Sequence, residues 1–470
     1  MKASQIGRVP VIGIALVALI LLISSGRALT QSDENGEPYL LGGETTIFDT
    51  TGNAFAQPSP GLEREQNLLF FVGNSFFNQN WVTAPSSTAA RDGLGPLFNS
   101  RSCAGCHFKD GRGRQPNFDG ETPTGLLIRL SIPQRDANGA YLPDPAYGGQ
   151  FQEQAIDGFA AEGDIQITYT ELPGTFDDGR PYSLRQPHYA LTNLQYGEMS
   201  PDVMLSPRVA NQVIGLGLLE AIPDATLLAL ADPDDANHDG ISGRPNIVWD
   251  AFKGAPAIGR FGWKANPATL FQQVVTAFNE DIGINSVFMP GTNCTTVEID
   301  CRNAPEGGVP DIADDDIQKV VLYVSVLAVP AQRDYDSPQV QAGERIFYEA
   351  QCELCHVPTL QTGTHPTIPA LSNQTIHPYT DLLLHDMGEQ LADNRPDFEA
   401  TGTEWRTPPL WGIGLFETVN GHTTYMHDGR ARNLLEAVLW HDGEARASRD
   451  YVLGLNESDV DALVAFLKSL

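Results

Sequence analysis

A chain of 470 residues is too long for one core of ordinary size and allows two or three units. Its formal charge of −30 excludes nucleic acid as a partner, because phosphates need a basic surface; a field of that sign attracts cationic partners, or simply keeps a protein soluble. Hydrophobic content of 41% is ordinary for a globular protein, whereas 45 glycines and 33 prolines predict a loop-rich one.

At the amino terminus, Lys2 and Arg8 precede an apolar run from Val9 to Ile23, followed by the small residues Ser24, Ser25, Gly26 and Ala28. Residues 1–28 therefore read as a secretory signal cleaved near Ala28, which implies the periplasm or the exterior. The alternative is an uncleaved anchor, giving membrane contact, but the run falls short of the roughly 20 apolar residues that span a bilayer. A polar segment covers residues 29–65. Gly93-Leu-Gly-Pro-Leu-Phe-Asn-Ser-Arg101 then leads into Cys103-Ala-Gly-Cys106-His107, and the Asp110-Gly-Arg-Gly-Arg-Gln-Pro stretch behind it must be loop.

Between residues 120 and 190, short apolar runs such as Gly125-Leu-Leu-Ile-Arg-Leu-Ser-Ile and Gln166-Ile-Thr-Tyr-Thr predict strands or hairpins inserted in an otherwise helical protein. Further on, Asp235, Asn237 and Asp239 alternate ahead of Gly240, as at the start of a calcium loop, but Asn246 stands where the closing Glu would be. Calcium is therefore a candidate ligand there, a solvated acidic turn the alternative. Cys294 and Cys301 predict a loop-closing disulfide in an oxidising compartment; a redox dithiol is the other reading, although no basic residue beside Cys294 lowers its pKa.

A boundary falls around residues 329–338. Ser337 and Pro338 open a helix at N-cap and N1, with Val340, Gly343 and Phe347 on one face, and Cys352-Glu-Leu-Cys355-His356 follows. The chain ends in a helical pattern with Val460, Leu463, Val464 and Leu467 on one stripe. The organisation is thus an amino-terminal domain over 66–335 and a cytochrome c-like domain over 336–470.

Both Cys-x-x-Cys-His strings are signatures of covalent haem c attachment. Two thiols a short turn apart reach the haem vinyl groups, and the adjacent imidazole becomes the proximal ligand. Zinc sites and redox dithiols also use Cys-x-x-Cys, but neither accounts for a histidine recurring in the same place. The cofactor-binding set is accordingly Cys103, Cys106, His107, Cys352, Cys355 and His356. For a sixth ligand, His441 shares a helical face with Leu434 and Val438, so it is a candidate for an iron or a core histidine. His427 is a candidate for a haem propionate or a loop anchor, and His385, with Met387 as a competing sulfur, for a haem pocket. His188 is a candidate for the first iron, with a loop role favoured.

These residues resemble the di-haem oxidoreductase family, also labelled thiol oxidoreductases and related to the bacterial di-haem cytochrome c peroxidases and methylamine-dehydrogenase maturases. The resemblance spans roughly residues 66–470. It rests on Gly93-Leu-Gly-Pro-Leu-Phe-Asn, Gly215-Leu-Gly-Leu-Leu-Glu-Ala-Ile, Asp239-Gly-Ile-Ser-Gly-Arg, Gly259-Arg-Phe-Gly-Trp-Lys-Ala, Leu382-Leu-Leu-His-Asp-Met-Gly, Trp405-Arg-Thr-Pro-Pro-Leu-Trp and Met426-His-Asp-Gly-Arg-Ala-Arg. It implies His441 as second axial ligand of the carboxy-terminal haem, making that haem bis-histidine, and Trp249 as the counterpart of a tryptophan between the haems. The peroxide-pocket string of the relatives looks like Phe261-Gly-Trp-Lys-Ala265 here, with Phe271 or Gln272 where they have a carboxylate, so Glu220 or Lys264 would have to supply the acid.

The expectation is a mainly α protein of two cytochrome c-like haem domains, the first enlarged by loops and short β hairpins. Its function would be an oxidoreductase of peroxidase type, moving electrons from the bis-histidine haem to the haem held by His107. The partners would be a small cytochrome or copper protein with a basic face and a small-molecule oxidant. A pure electron-transfer cytochrome and a haem-dependent thiol oxidase are the alternatives.

Overall fold

The computed structural model describes residues 39–470 apart from 89, 117–120, 122 and 123. The signal at residues 1–28 lies outside them. The helices that matter for the sites are α1 (Arg64–Asn78), α2 (Cys103–Cys106), α3 (Leu270–Glu280), α4 (Asp314–Ser325), α5 (Pro338–Glu349), α6 (Leu434–Leu439) and α7 (Glu457–Ser469). The strands of three residues or more are β1 (Leu126–Ser131), β2 (Asp164–Thr175), β3 (Pro181–Thr192), β4 (Met204–Val209), β5 (Ile247–Asp250), β6 (Ala255–Ile258), β7 (Leu384–Asp386) and β8 (Glu404–Arg406). All pair antiparallel in two-stranded sheets, in the order β1 with β4, β2 with β3, β5 with β6 and β7 with β8.

This corrects the mainly α expectation. Helix makes up 28% and strand 18%, so the class is mixed. The reason lies in the segment between the two Cys-x-x-Cys-His strings, where period-two patterning dominates. Leu126, Ile128 and Leu130 of β1 turn inward and pack with Ile167 of β2, Val209 of β4, Trp263 and Trp405 in a core of their own. The long hairpin turns at Asp177-Asp178-Gly179, where Gly179 takes a positive φ of 88° and Phe176 N–H donates to the Arg180 carbonyl at 2.9 Å. Its far end is pinned by Asp177 N–H to the Leu453 carbonyl at 3.1 Å.

Two helix pairs carry the sites. In the first, Glu63 and Gln66 form a capping box that starts α1, and its inner face packs on α4. In the second, Ser337 caps α5 by accepting from Val340 N–H at 3.2 Å, and Asn456 caps α7 by accepting from Asp459 N–H at 3.1 Å. Each crossing passes through a glycine. A Cβ on Gly73 of α1 would lie 2.1 Å from the Lys319 carbonyl, and one on Gly343 of α5 would lie 1.9 Å from the Ala462 carbonyl. Four residues beyond each glycine stands a phenylalanine, Phe77 and Phe347, whose rings lie 6.1 Å from His107 and 6.5 Å from His356. A continuous apolar core runs from Leu41 to Leu470 within the compact unit Pro38–Leu470. No helix among the described residues is long and apolar enough to cross a membrane.

Cys294 and Cys301 are joined in a disulfide. Closing a loop this short restricts the unfolded chain, so the double change Cys294→Ser, Cys301→Ser should cost about 2 kcal/mol. The urea midpoint checks this: a variant with the parent midpoint counts against it.

Candidate functional site

The first Cys-x-x-Cys-His turn is α2, entered from an extended Ser102. His107 N–H bonds the Cys103 carbonyl at 2.9 Å, which folds the imidazole back beside its own turn. Its Nδ1 donates to the Asn211 carbonyl at 2.6 Å, so Nε2 is left to ligate. Beyond the ring lies a cavity of about 600 Å³, its open mouth included, walled by Phe77, Val213, Leu216, Leu270, Val274 and Val320. Gln273 and Asp281 add polar groups on the wall made by α3 and its end; among the described residues no second imidazole or thioether lines it. Burial raises the Asp281 carboxyl to about 6, although the Gln150 amide, 2.7 Å away, works against the shift.

The second turn follows α5 directly. His356 Nδ1 donates to the Tyr379 carbonyl at 3.0 Å, and His441, just past α6, donates its Nδ1 to the Ala437 carbonyl at 2.7 Å. The two rings face each other with centroids 6.4 Å apart. An iron between them fits that span: two metal–imidazole bonds of about 2.0 Å each, plus about 1.1 Å from each nitrogen to its ring centre, sum to roughly 6.2 Å. Burial lowers His356 to about 4 and also lowers His441, so both are neutral, as ligands must be. The cavity measures about 1420 Å³ with its open mouth; Phe347, Leu463 and Leu467 from the α5–α7 crossing and Trp263, Trp405, Arg112 and Arg406 are among its walls.

All four motif cysteines are free thiols held as neutral SH: burial pushes Cys103 and Cys352 up to about 12 and raises Cys106 and Cys355 as well. A raised thiol pKa makes a poor redox nucleophile. Together with the apolar walls and a free Nε2 on each motif histidine, these thiols suit haem.

The other sequence candidates are dispersed. His427 lines the second cavity, stacked on Trp405 with centroids 3.7 Å apart, and burial lowers it to about 3. His385 also lines it, but both ring nitrogens are engaged, Nε2 with Asp381 and Nδ1 with Glu444, each at 2.8 Å. Burial alone would lower its pKa; the Asp381 carboxylate overrides this and holds it well above the usual histidine range, as an imidazolium. Met387 is on the same wall. His188 is exposed on β3 and bonds Thr170 at 2.9 Å.

Trp249, Lys264 and Glu220 do not converge, and none is among the residues lining either cavity. Trp249 sits half-buried on β5. Lys264 is fully buried behind Trp405, 3.0 Å from Asp393 and 2.6 Å from the Thr401 carbonyl, and burial lowers its pKa to about 8. Glu220 accepts from Leu270 N–H at 2.8 Å, closing the start of α3. In helix α3, Phe271 packs with Phe252 and Phe288, Gln272 points its amide at the Trp249 carbonyl, and Gln273 is the one that reaches the cavity.

The side-chain oxygens of the candidate calcium loop serve its own turns. Asp235 accepts from Gly240 N–H, Asn237 from Asp239 N–H, and the Asn237 amide donates to Asp239 at 2.9 Å. A cation there would have to displace these bonds.

Residues 211–213 touch both sites. Asn211 holds His107, Val213 lines the first cavity, and Gln212 lines the second. Just before them, Val209 N–H bonds the His427 carbonyl at 2.8 Å. Sequence reasoning missed this segment, Arg112, Gln273 and Asp281. For Arg112 there was a signal, its place directly after the first motif; for the others there was none.

Residues 39–470 match the family model described as "Di-haem oxidoreductase, putative peroxidase". No match was found to a curated protein or to a solved structure.

Proposed function

Because the chain belongs to this di-haem oxidoreductase family, we propose that it is an exported c-type enzyme, with both haems attached through the Cys-x-x-Cys-His cysteines. Electrons enter at the site of His356 and His441 and are used at the site of His107 to reduce a small oxidant of peroxide type. The observation that carries this reading is the inequality of the two sites. One has two facing imidazoles 6.4 Å apart, and the other has one imidazole opposite an apolar wall with Gln273.

Haem supplies one-electron chemistry at both sites and, at the first, a coordination position for the oxidant. The chain does the rest. Backbone carbonyls of Asn211, Tyr379 and Ala437 fix each imidazole with Nε2 outward. Phe77, Leu216 and Val274 exclude water from the first cavity. Reduction of a peroxide to two waters takes two electrons and two protons, and Asp281, on the wall of the first cavity, is a half-buried carboxyl able to hold a proton up to a pH of about 6. The acidic surface suits a donor with a basic face, a small cytochrome or a copper protein.

Oxidised and half-reduced protein examined by optical and EPR spectroscopy tests the assignment. The first haem should give a high-spin signal and the second a low-spin one. Two low-spin haems in every redox state would leave only electron transfer. With Asp281 as the proton donor, kcat/KM for peroxide should fall as pH rises through about 6, where its carboxyl ionises. Asp281→Asn should abolish that limb and lower turnover about 100-fold; a pH profile identical to the parent's excludes Asp281 from the step.

A further inference from the structure

The walls of the second cavity hold two buried cations without a matching anion. Arg112 is 6% exposed and Arg406 5%. Three other buried arginines have carboxylate partners: Arg208 and Arg395 pair with Asp397, and Arg430 with Asp428. Arg112 and Arg406 have none within ion-pairing distance among the described residues. Arg406 spends its Nε on the Gly262 carbonyl at 2.7 Å and one terminal nitrogen on the Thr407 carbonyl. Arg112 lies between the Trp263 and Phe416 rings, 5.4 Å from each centroid, with one terminal nitrogen 2.6 Å from the Met426 carbonyl. Its Nε is buried with no partner. A buried charge left unpaired is strongly destabilising, and burial already lowers both guanidinium pKa values to about 10. The nearby ligand pair does not supply the missing negative charge, since His356 and His441 are neutral imidazoles.

Resting on the di-haem reading above, we propose that Arg112 and Arg406 bind the two propionate carboxylates of the cofactor at the second site, and that Arg112 holds the reduction potential of that site up. The geometry favours a carboxylate because the planar Arg112 guanidinium has its Nε without a partner, and an Nε edge can offer two parallel N–H groups to two oxygens. The positive charge offsets the propionate charge beside the iron, which favours the reduced form. Arg112 comes from the loop that follows the first attachment motif, yet its contacts are with Phe416 and Met426, so the first motif's own segment supplies the anchor for the second site.

Spectroelectrochemical titration of the holoprotein tests this, with haem content measured first. A parent protein without two haems per chain would refute the di-haem reading itself, whatever the variants do. Given two haems, a unit charge about 8 Å away at an effective dielectric near 20 changes an equilibrium by more than tenfold. Arg112→Gln should therefore lower the equilibrium constant for reducing the second haem by about tenfold or more, at least about 59 mV for one electron. Arg112→Lys, which keeps the charge, should stay within about threefold of the parent on the same scale. An unchanged potential in Arg112→Gln overturns the proposal, and so does an equal fall in both variants, because shape rather than charge would then be responsible. If Arg112→Gln does not fold, Arg406→Gln carries the same test with the same expected fall.

Discussion

On the proposed reading, replacing His441 by alanine should turn the second haem from low-spin to high-spin and lower turnover with a protein electron donor by about 10- to 100-fold. The imidazole stands 6.4 Å from that of His356, fixed by a hydrogen bond to the Ala437 carbonyl one turn back, and it is half-buried at the end of a short helix. Removing it takes away a ligand and little packing, so the fold persists while the iron loses an axial nitrogen. Imidazole added to the variant should restore the low-spin spectrum, because the vacated space matches it. A low-spin spectrum that survives in His441→Ala without imidazole would mean that Met387 or His427, both on the same cavity wall, is the ligand instead.

Gly343→Ala acts on the frame rather than the chemistry, and it should lower stability by about 3 kcal/mol or more. Alanine is favoured over glycine inside a helix by about 1 kcal/mol, which works against the loss. The Cβ, however, would sit 1.9 Å from the Ala462 carbonyl and 2.7 Å from the Phe466 Cβ, and backbone cannot step aside as a flexible side chain can. The helices α5 and α7 must then separate, carrying Phe347, Leu463 and Leu467 away from the second cavity. The urea midpoint and the haem content should fall together. Equal stability of variant and parent would show that the crossing is looser than the structure has it.

The attachment motifs were fully legible in the sequence because their chemistry is local: thiols and imidazole lie within one turn, and no tertiary knowledge is needed to see them. The face shared by Val340, Gly343 and Phe347 was legible for the same reason, and the Ser337–Pro338 start of α5 is where the capping residues placed it. His441 was visible as a histidine on an apolar stripe, but only the fold brings it opposite His356, 85 positions earlier in the chain by their numbering. The mixed class was underestimated because strands of 12 residues in β2 and β3 carry mostly exposed or half-buried side chains, which leaves a weak periodic signal. Lys264 looked available for acid chemistry because its partner Asp393 is far away in sequence. Asp281 was invisible altogether: its raised pKa comes from burial, which no local pattern records.

On the proposed reading, the segment from Asn211 to Val213 is a physical link through which the two sites would be coupled. A ligand that shifts His107 pulls on the Asn211 carbonyl, and the next two side chains belong one to each cavity. Through such a shared element, the factor by which reduction of the second haem changes oxidant affinity at the first equals the factor by which oxidant binding changes the reduction equilibrium of the second. The electron supply and the site that consumes it are then two readings of one free-energy difference, and a single substitution at Gln212 would alter both by the same ratio.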